Sequence, residues 1–289
     1  MSHQSATLKR ISERSQHGGL PMSKDSELFV RCSDLRNRLV QPRPGLQSRA
    51  FLDLSEFDGN PGYPDAAERV VVCFDYWTVV TADQLRGISV VIESGASGYS
   101  IFPIMRAVIE HSAWICWILD ESCSALQRIA RANLAFLNTG AMRTQAASFL
   151  NGRKSSAFQS ERAEYRRLRD EIRATFGAVT FDPISIDGET LPTPTEVVEH
   201  MGKVMSNERL WTGVYHYLCG MANHPSLSVM EMIGPSTSGN HAIQISAERM
   251  EQSVRATIGP YLQSLHYMCA YMGWQTSELD LMYDEIVDE

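Results

Sequence analysis

The chain is 289 residues long, 44% hydrophobic and 21% charged, the composition of an ordinary globular protein and not of a disordered, collagen-like or disulfide-scaffold chain. At that length it buries roughly three quarters of its unfolded surface, as one large domain or two small ones. The net charge of −8 is unevenly spread, +5 over residues 1–50, −7 over 51–120, +5 over 121–177 and −11 over 178–289; an acidic body excludes indiscriminate nucleic-acid binding and leaves 121–177 as the one folded-looking block with a basic excess.

Residues 1–26 are rich in Ser, Gln, Lys and Arg without apolar period and read as disordered. Residues 27–40 suit a short helix. Residues 41–64, with Pro42, Pro44, Pro61, Pro64, Gly45, Gly59 and Gly62, read as an irregular connection, so 1–64 forms a disordered or irregular N-terminal segment. Asp65-x-x-Glu68 suggests a capping box opening a helix that runs to about Ser94. Its middle, Val70 to Val80, is β-branched and aromatic and would suit a strand in isolation; length and flanking charge favour helix.

Gly95 to Gly98 breaks the chain. The next helix, about Ser100 to Asp120 with Pro103 in its first turn, is apolar nearly all round and belongs in the middle of a bundle. A third helix spans about Ser124 to Asn151, stopped by Gly152, and a fourth about Ser155 to Phe176, stopped by Gly177; the short break between them makes an antiparallel hairpin. Residues 178–194 read as a loop. Thr193-Pro194-Thr195-Glu196 combines a cap, an N1 proline and a capping box, opening a helix to about Met205. Another covers about Asn207 to Ala222, before Asn223-His224-Pro225. A long final helix, about Ala247 to Trp274, contains Pro260, which is expected to kink or split it. The last twelve residues hold six acids and no base and read as a solvated tail, 276–289. The expected fold is all-α: a bundle of about seven helices over residues 65–275.

None of the six cysteines forms a C-x-x-C pair, the N-terminal residues lack the apolar core of a signal peptide, and no uninterrupted apolar run reaches the ~18 residues of a membrane span. A cytoplasmic protein with reduced thiols and no membrane partner is expected. Walker, G-x-G-x-x-G, H-E-x-x-H and nucleophile-elbow motifs are absent. Glu196-x-x-x-His200 and Glu110-His111 are the nearest approaches to a ligand pattern, and the Glu-x-x-His pairs of di-iron bundles are missing, so neither metal nor cofactor is expected.

Arg106, Glu110 and His111 stand out because they interrupt the most apolar helix. Arg106 and Glu110 are four apart, hence neighbours on one face, and a buried ion must be paired. Two readings follow: an internal salt bridge that fixes helix register, or a polar pocket for a ligand walled by Trp114 and Trp117. A second group, Tyr217 and His224, lies seven apart on one face; His224 serves either as a helix C-cap or as a further member of the Arg106/Glu110/His111 site. The Arg-rich helix (Arg162, Arg166, Arg167, Arg169, Arg173) suits RNA or an acidic partner, or, with its interleaved acids, a solvated face. The aromatic and Met-rich final helix suits core or a homodimer seam.

Arg106-Ala-Val-Ile-Glu-His111 resembles the R-x4–6-H motif of the HEPN superfamily, all-helical domains of which many are metal-independent ribonucleases of toxin or phage-defence systems that work as dimers. That resemblance implies a phosphate-steadying Arg106 and an acid–base or nucleophile-positioning His111. It covers six residues, and Ala107 stands where many such motifs carry a polar residue. More broadly, residues 65–230 resemble uncharacterised bacterial helical proteins that pair an early Arg-x-x-x-Glu helix bearing Trp with a later Tyr…His-Pro segment, which implies a bundle and no particular chemistry. Two functions are therefore expected in turn: a binding or interaction protein built on the polar cluster, its partner an unidentified small molecule or protein, or an HEPN-like ribonuclease with Arg106 and His111 catalytic and RNA guided by the 121–177 hairpin.

Overall fold

The computed structural model describes residues 23–57, 65–94, 100–181, 184–223, 233–235, 241–243 and 247–288. Among them are ten helices: α1 (Lys24–Leu39), α2 (Arg49–Phe57), α3 (Ala66–Ser94), α4 (Ile101–Ile118), α5 (Ala125–Asn151), α6 (Ser156–Thr175), α7 (Pro194–Val204), α8 (Glu208–Asn223), α9 (Ala247–Met272) and α10 (Ser277–Asp288). The all-α class holds, with more helices than the sequence suggests.

The β-branched run of α3 is helical because its apolar residues recur at the helical period: Val70, Phe74, Leu85 and Ile88 are buried along one face, and a 29-residue element has length enough to use it. Helix α4 sits at the centre. It packs on α3, α9, α7 and α8, which is why it tolerates apolar residues on every side. By length and composition Ile101–Ile118 would also suit a membrane crossing, more apolar on average than the broken run in the sequence suggests; in this fold its greasy surface is covered by those four neighbours. Helix α9 continues through Pro260 without being divided. Helix α7 starts on the Thr193–Glu196 capping box with Pro194 in the first turn. Gly202 lets the next helix approach, since a Cβ there would lie 2.8 Å from the Glu208 Cα.

Several further sequence expectations are corrected. The box at Asp65 does not form: Asp65 adopts φ 58°, whereas a capping residue is extended. The irregular 41–64 segment contains α2. Residues 178–194 hold an antiparallel meander, β1 (Val179–Phe181), β2 (Ile184–Ile186) and β3 (Glu189–Thr190), whose second turn places Asp187 at φ 47° and Gly188 at φ 89°, the left-handed pair that a two-residue hairpin needs. A second two-stranded ribbon joins β4 (Ile233–Pro235) to β5 (His241–Ile243). Finally, residues 277–288 of the acidic segment form helix α10, not a solvated tail. Leu279 and Met282 are buried, and its acids bind α1, Glu285 to Arg31 at 2.5 Å and Glu278 to Arg38 at 3.2 Å.

Buried polar groups lock the helices in register. Arg128 of α5 donates from Nε and Nη2 to the two Asp53 oxygens of α2 at 2.9 and 2.8 Å, with both side chains only 5% and 4% exposed. Its remaining Nη1 donates to the Cys123 carbonyl, and the Tyr271 hydroxyl donates to Asp53 Oδ2 at 3.0 Å. Burial opposes the Arg128 charge, and the Asp53 bonds outweigh it and raise the guanidinium pKa. The network is nearly saturated, as a buried ion pair requires.

Candidate functional site

The Arg106–Glu110 pair predicted from i,i+4 spacing forms. Arg106 Nε donates to Glu110 Oε1 at 3.0 Å, and Nη2 lies 2.9 Å from the same oxygen. The side chains are 26% and 22% exposed, so the cluster is half-buried at the margin of the core and not sealed inside it. The Tyr215 hydroxyl of α8 donates to Glu110 Oε1 as well, and the Arg106 guanidinium stands 5.8 Å from the Tyr215 ring centre. Burial, then the hydrogen bond and charge of Glu110, push the Tyr215 phenol well above its usual range, so it keeps the proton it donates. Burial opposes the Arg106 charge, but Glu110 raises its pKa overall. Three side chains thus tie α4 to α8 through one carboxylate oxygen.

His111 is not part of this network. One residue beyond Glu110 is a 100° rotation about the helix, and His111 Nδ1 meets Gln84 Oε1 of α3 at 3.2 Å. Burial lowers its pKa; the neutral ring donates through Nδ1–H to the amide oxygen. Trp114 and Trp117 make their ring contacts with α3, with each other and with α5. Trp114 packs on Trp77 of α3 at 5.9 Å and edge-on to Trp117 at 5.4 Å, and Trp117 lies under the Arg131 guanidinium of α5 at 4.9 Å.

Tyr217 does border a cavity. Its ring meets Phe102 edge-on at 6.2 Å, one helical turn before Arg106. A cavity of ≈ 280 Å³ is lined by Val214, Tyr217, Leu218, Gln252, Ser253 and Ala256, between α8 and α9. His224, expected beside it, lies outside the described residues.

A second polar cluster escapes the sequence reading. Asp120, just past α4, accepts from the Ser122 amide and hydroxyl at 2.8 Å each. Its other oxygen lies 3.1 Å from His200 Nε2 of α7 and 3.8 Å from Arg131 Nη1. Arg131 Nε donates to Glu189 Oε2 of β3 at 2.7 Å, and Nη1 to the Trp117 carbonyl at 2.6 Å. Burial works to raise the Asp120 pKa, and the Ser122 bonds, with His200 and Arg131, bring it below the usual carboxylate range. Burial lowers the His200 pKa, Asp120 opposing and Arg131 and Lys203 reinforcing. Its Nε2 is buried and makes no hydrogen bond. The only sequence signal was Glu196-x-x-x-His200, and Glu196 is occupied by the α7 cap. Among the described residues no group of three or more His, Cys, Asp or Glu is placed to hold a metal ion.

Several bases of the 121–177 block are paired. Arg143 pairs with Glu161 at 2.8 Å, Arg167 with Glu164 at 2.7 Å and with Glu171, and Arg69 of α3 with Glu171 at 2.5 Å. Arg169 and Arg173 stack on Phe181 at 4.0 and 4.6 Å. Comparison with protein families, curated proteins and solved structures finds no match.

Proposed function

We propose that the protein is a helical small-molecule-binding protein of the cytoplasm, and that its ligand sits between α8 and α9 in the cavity bordered by Tyr217. The observation that carries this reading is the cavity itself, in company with the network next to it. Aliphatic and aromatic walls (Val214, Leu218, Ala256, Tyr217) with one amide and one hydroxyl (Gln252, Ser253) form the lining that small-ligand sites use, apolar for affinity and sparsely polar for orientation. At ≈ 280 Å³ the space suits a compact molecule with one flat apolar ring and one or two hydrogen-bonding atoms. The Arg106–Glu110–Tyr215 network holds α8 on α4, so the wall is set before the ligand arrives, which lowers the ordering cost of binding. Six free thiols support a reducing compartment.

The ribonuclease alternative needs Arg106 and His111 at one phosphate. Arg106 is committed to Glu110 and Tyr215, and His111 to Gln84 of a different helix, so the binding reading is preferred. Indole, phenol and benzamide in a thermal-shift assay test it. At least one raises the melting temperature of the wild type and not of the cavity-filling variant Ala256→Leu; a ligand at 100 times its Kd adds about 2.7 kcal/mol. Equal shifts in both proteins, or RNA cleavage lost in His111→Ala, would overturn it.

A further inference from the structure

The last core residue of α5 before its distal half is Leu137; beyond it only Ala147 is buried, against α6. Residues 138–151 thus continue α5 for about 20 Å beyond its last core residue, supported among the described residues by α6 through contacts such as Gly140 on Tyr165 and Thr144 on the Glu161 carbonyl. An isolated two-helix projection would be expected to present a polar outer face. Here Met142, Ala146, Phe149 and Leu150 follow the i, i+4, i+7, i+8 spacing of one helix face and are all exposed, Phe149 to 80% and Leu150 to 83%. The two largest apolar groups are at the very apex. Beside them the turn Gly152-Arg153-Lys154 is exposed; residues 138–160 contain three cations and no acid, and of the three Arg143 is paired with Glu161.

We infer that the apex of the α5–α6 hairpin is a membrane-contact site, which inserts Phe149 and Leu150 into the boundary of an anionic lipid surface while Arg153 and Lys154 meet the lipid phosphates. Charge selects this occupant. A second copy docking tip to tip would bring like cations together, and the two apical side chains offer on the order of 300 Å², well short of the roughly 800 Å² per partner of a stable protein interface. An apolar apex flanked by two cations is an arrangement that draws on both acyl-chain burial and the negative potential of an anionic leaflet. This proposal departs from the expectation of no membrane partner, which rested on spans alone, and it is independent of the α8–α9 cavity.

The test is co-sedimentation of the full chain with vesicles of phosphatidylcholine and of phosphatidylcholine containing phosphatidylserine. The protein pellets with the anionic vesicles and not with the neutral ones, and added salt weakens the pelleting. Phe149→Ser with Leu150→Ser lowers the partition about tenfold or more, and Arg153→Glu with Lys154→Glu does the same, both with unchanged circular dichroism and melting temperature because the four side chains make no core contact. Absence of pelleting with anionic vesicles, or pelleting unaffected by either pair, overturns the inference. Self-association abolished by Phe149→Ser with Leu150→Ser, without vesicle binding, overturns it in favour of a second copy.

Discussion

The centre of the bundle and the distal half of the α5–α6 hairpin distribute polarity in opposite ways. In the bundle, charged groups are satisfied: Asp53, buried, receives Arg128 and Tyr271, and Glu110, at the margin of the core, receives Arg106 and Tyr215. On the hairpin, apolar groups are turned outward with nothing covering them among the described residues. The first pattern is the signature of register and rigidity, because each buried ion is costly unless every partner is in place. The second does nothing for folding, since the hairpin stands without burying Phe149 or Leu150. Stability and the proposed membrane recognition thus rest on different parts of this molecule, and mutations separate them.

The largest effect is expected at the centre. Asp53→Ala leaves Arg128 buried without its carboxylate and lowers stability by about 3–5 kcal/mol, read as a fall in the urea midpoint; a paired substitution, Asp53→Leu with Arg128→Met, costs less than Asp53→Ala. Next is Tyr215→Phe, which removes a hydrogen bond to a carboxylate that keeps its arginine, for about 1.5 kcal/mol. If Tyr215→Phe proves as costly as Asp53→Ala, the α4–α8 contact is core and not a margin.

Acid sharpens the contrast further. The folded-state pKa values of His111 and His200 are both lowered from 6.5, so the folded chain favours the neutral rings. Above pH 6.5 neither ring affects the balance; as pH falls below it, the unfolded chain takes up protons first and stability declines until the lowered folded values are passed. Denaturation midpoints between pH 7.5 and 5 check this, and His111→Gln and His200→Gln each flatten the slope. The smallest effect belongs to the hairpin: Phe149→Ser with Leu150→Ser changes stability by no more than about 0.5 kcal/mol.

Much of the architecture is readable from local chemistry. Ser124, Gly152 and Thr193-Pro194 mark helix ends that the structure uses, and the Arg106–Glu110 pair follows from spacing alone. Other features were written in the sequence under a stronger signal. Six acids in the last twelve residues obscure the stripe Leu279, Met282, Tyr283 and Ile286, whose helical spacing docks α10. Asp187-Gly188 is a hairpin turn inside a stretch that prolines make look irregular. The separation of His111 from Glu110 follows from helix rotation, yet sequence adjacency suggests one cluster. What local pattern cannot supply is a partner far along the chain: Asp53 meets Arg128 75 positions later, and Glu110 meets Tyr215 105 positions later, because only packing of α2 and α5 on α3, and of α4 on α8, brings them together.

The central claim, that the space between α8 and α9 receives a small ring compound, is tested most directly by methyl NMR during an indole titration. Saturable shifts at the methyls of Val214, Leu218 and Ala256, with Val108 and Ile129 of the core unmoved, are the predicted result. Saturable shifts elsewhere with those three methyls silent would contradict it.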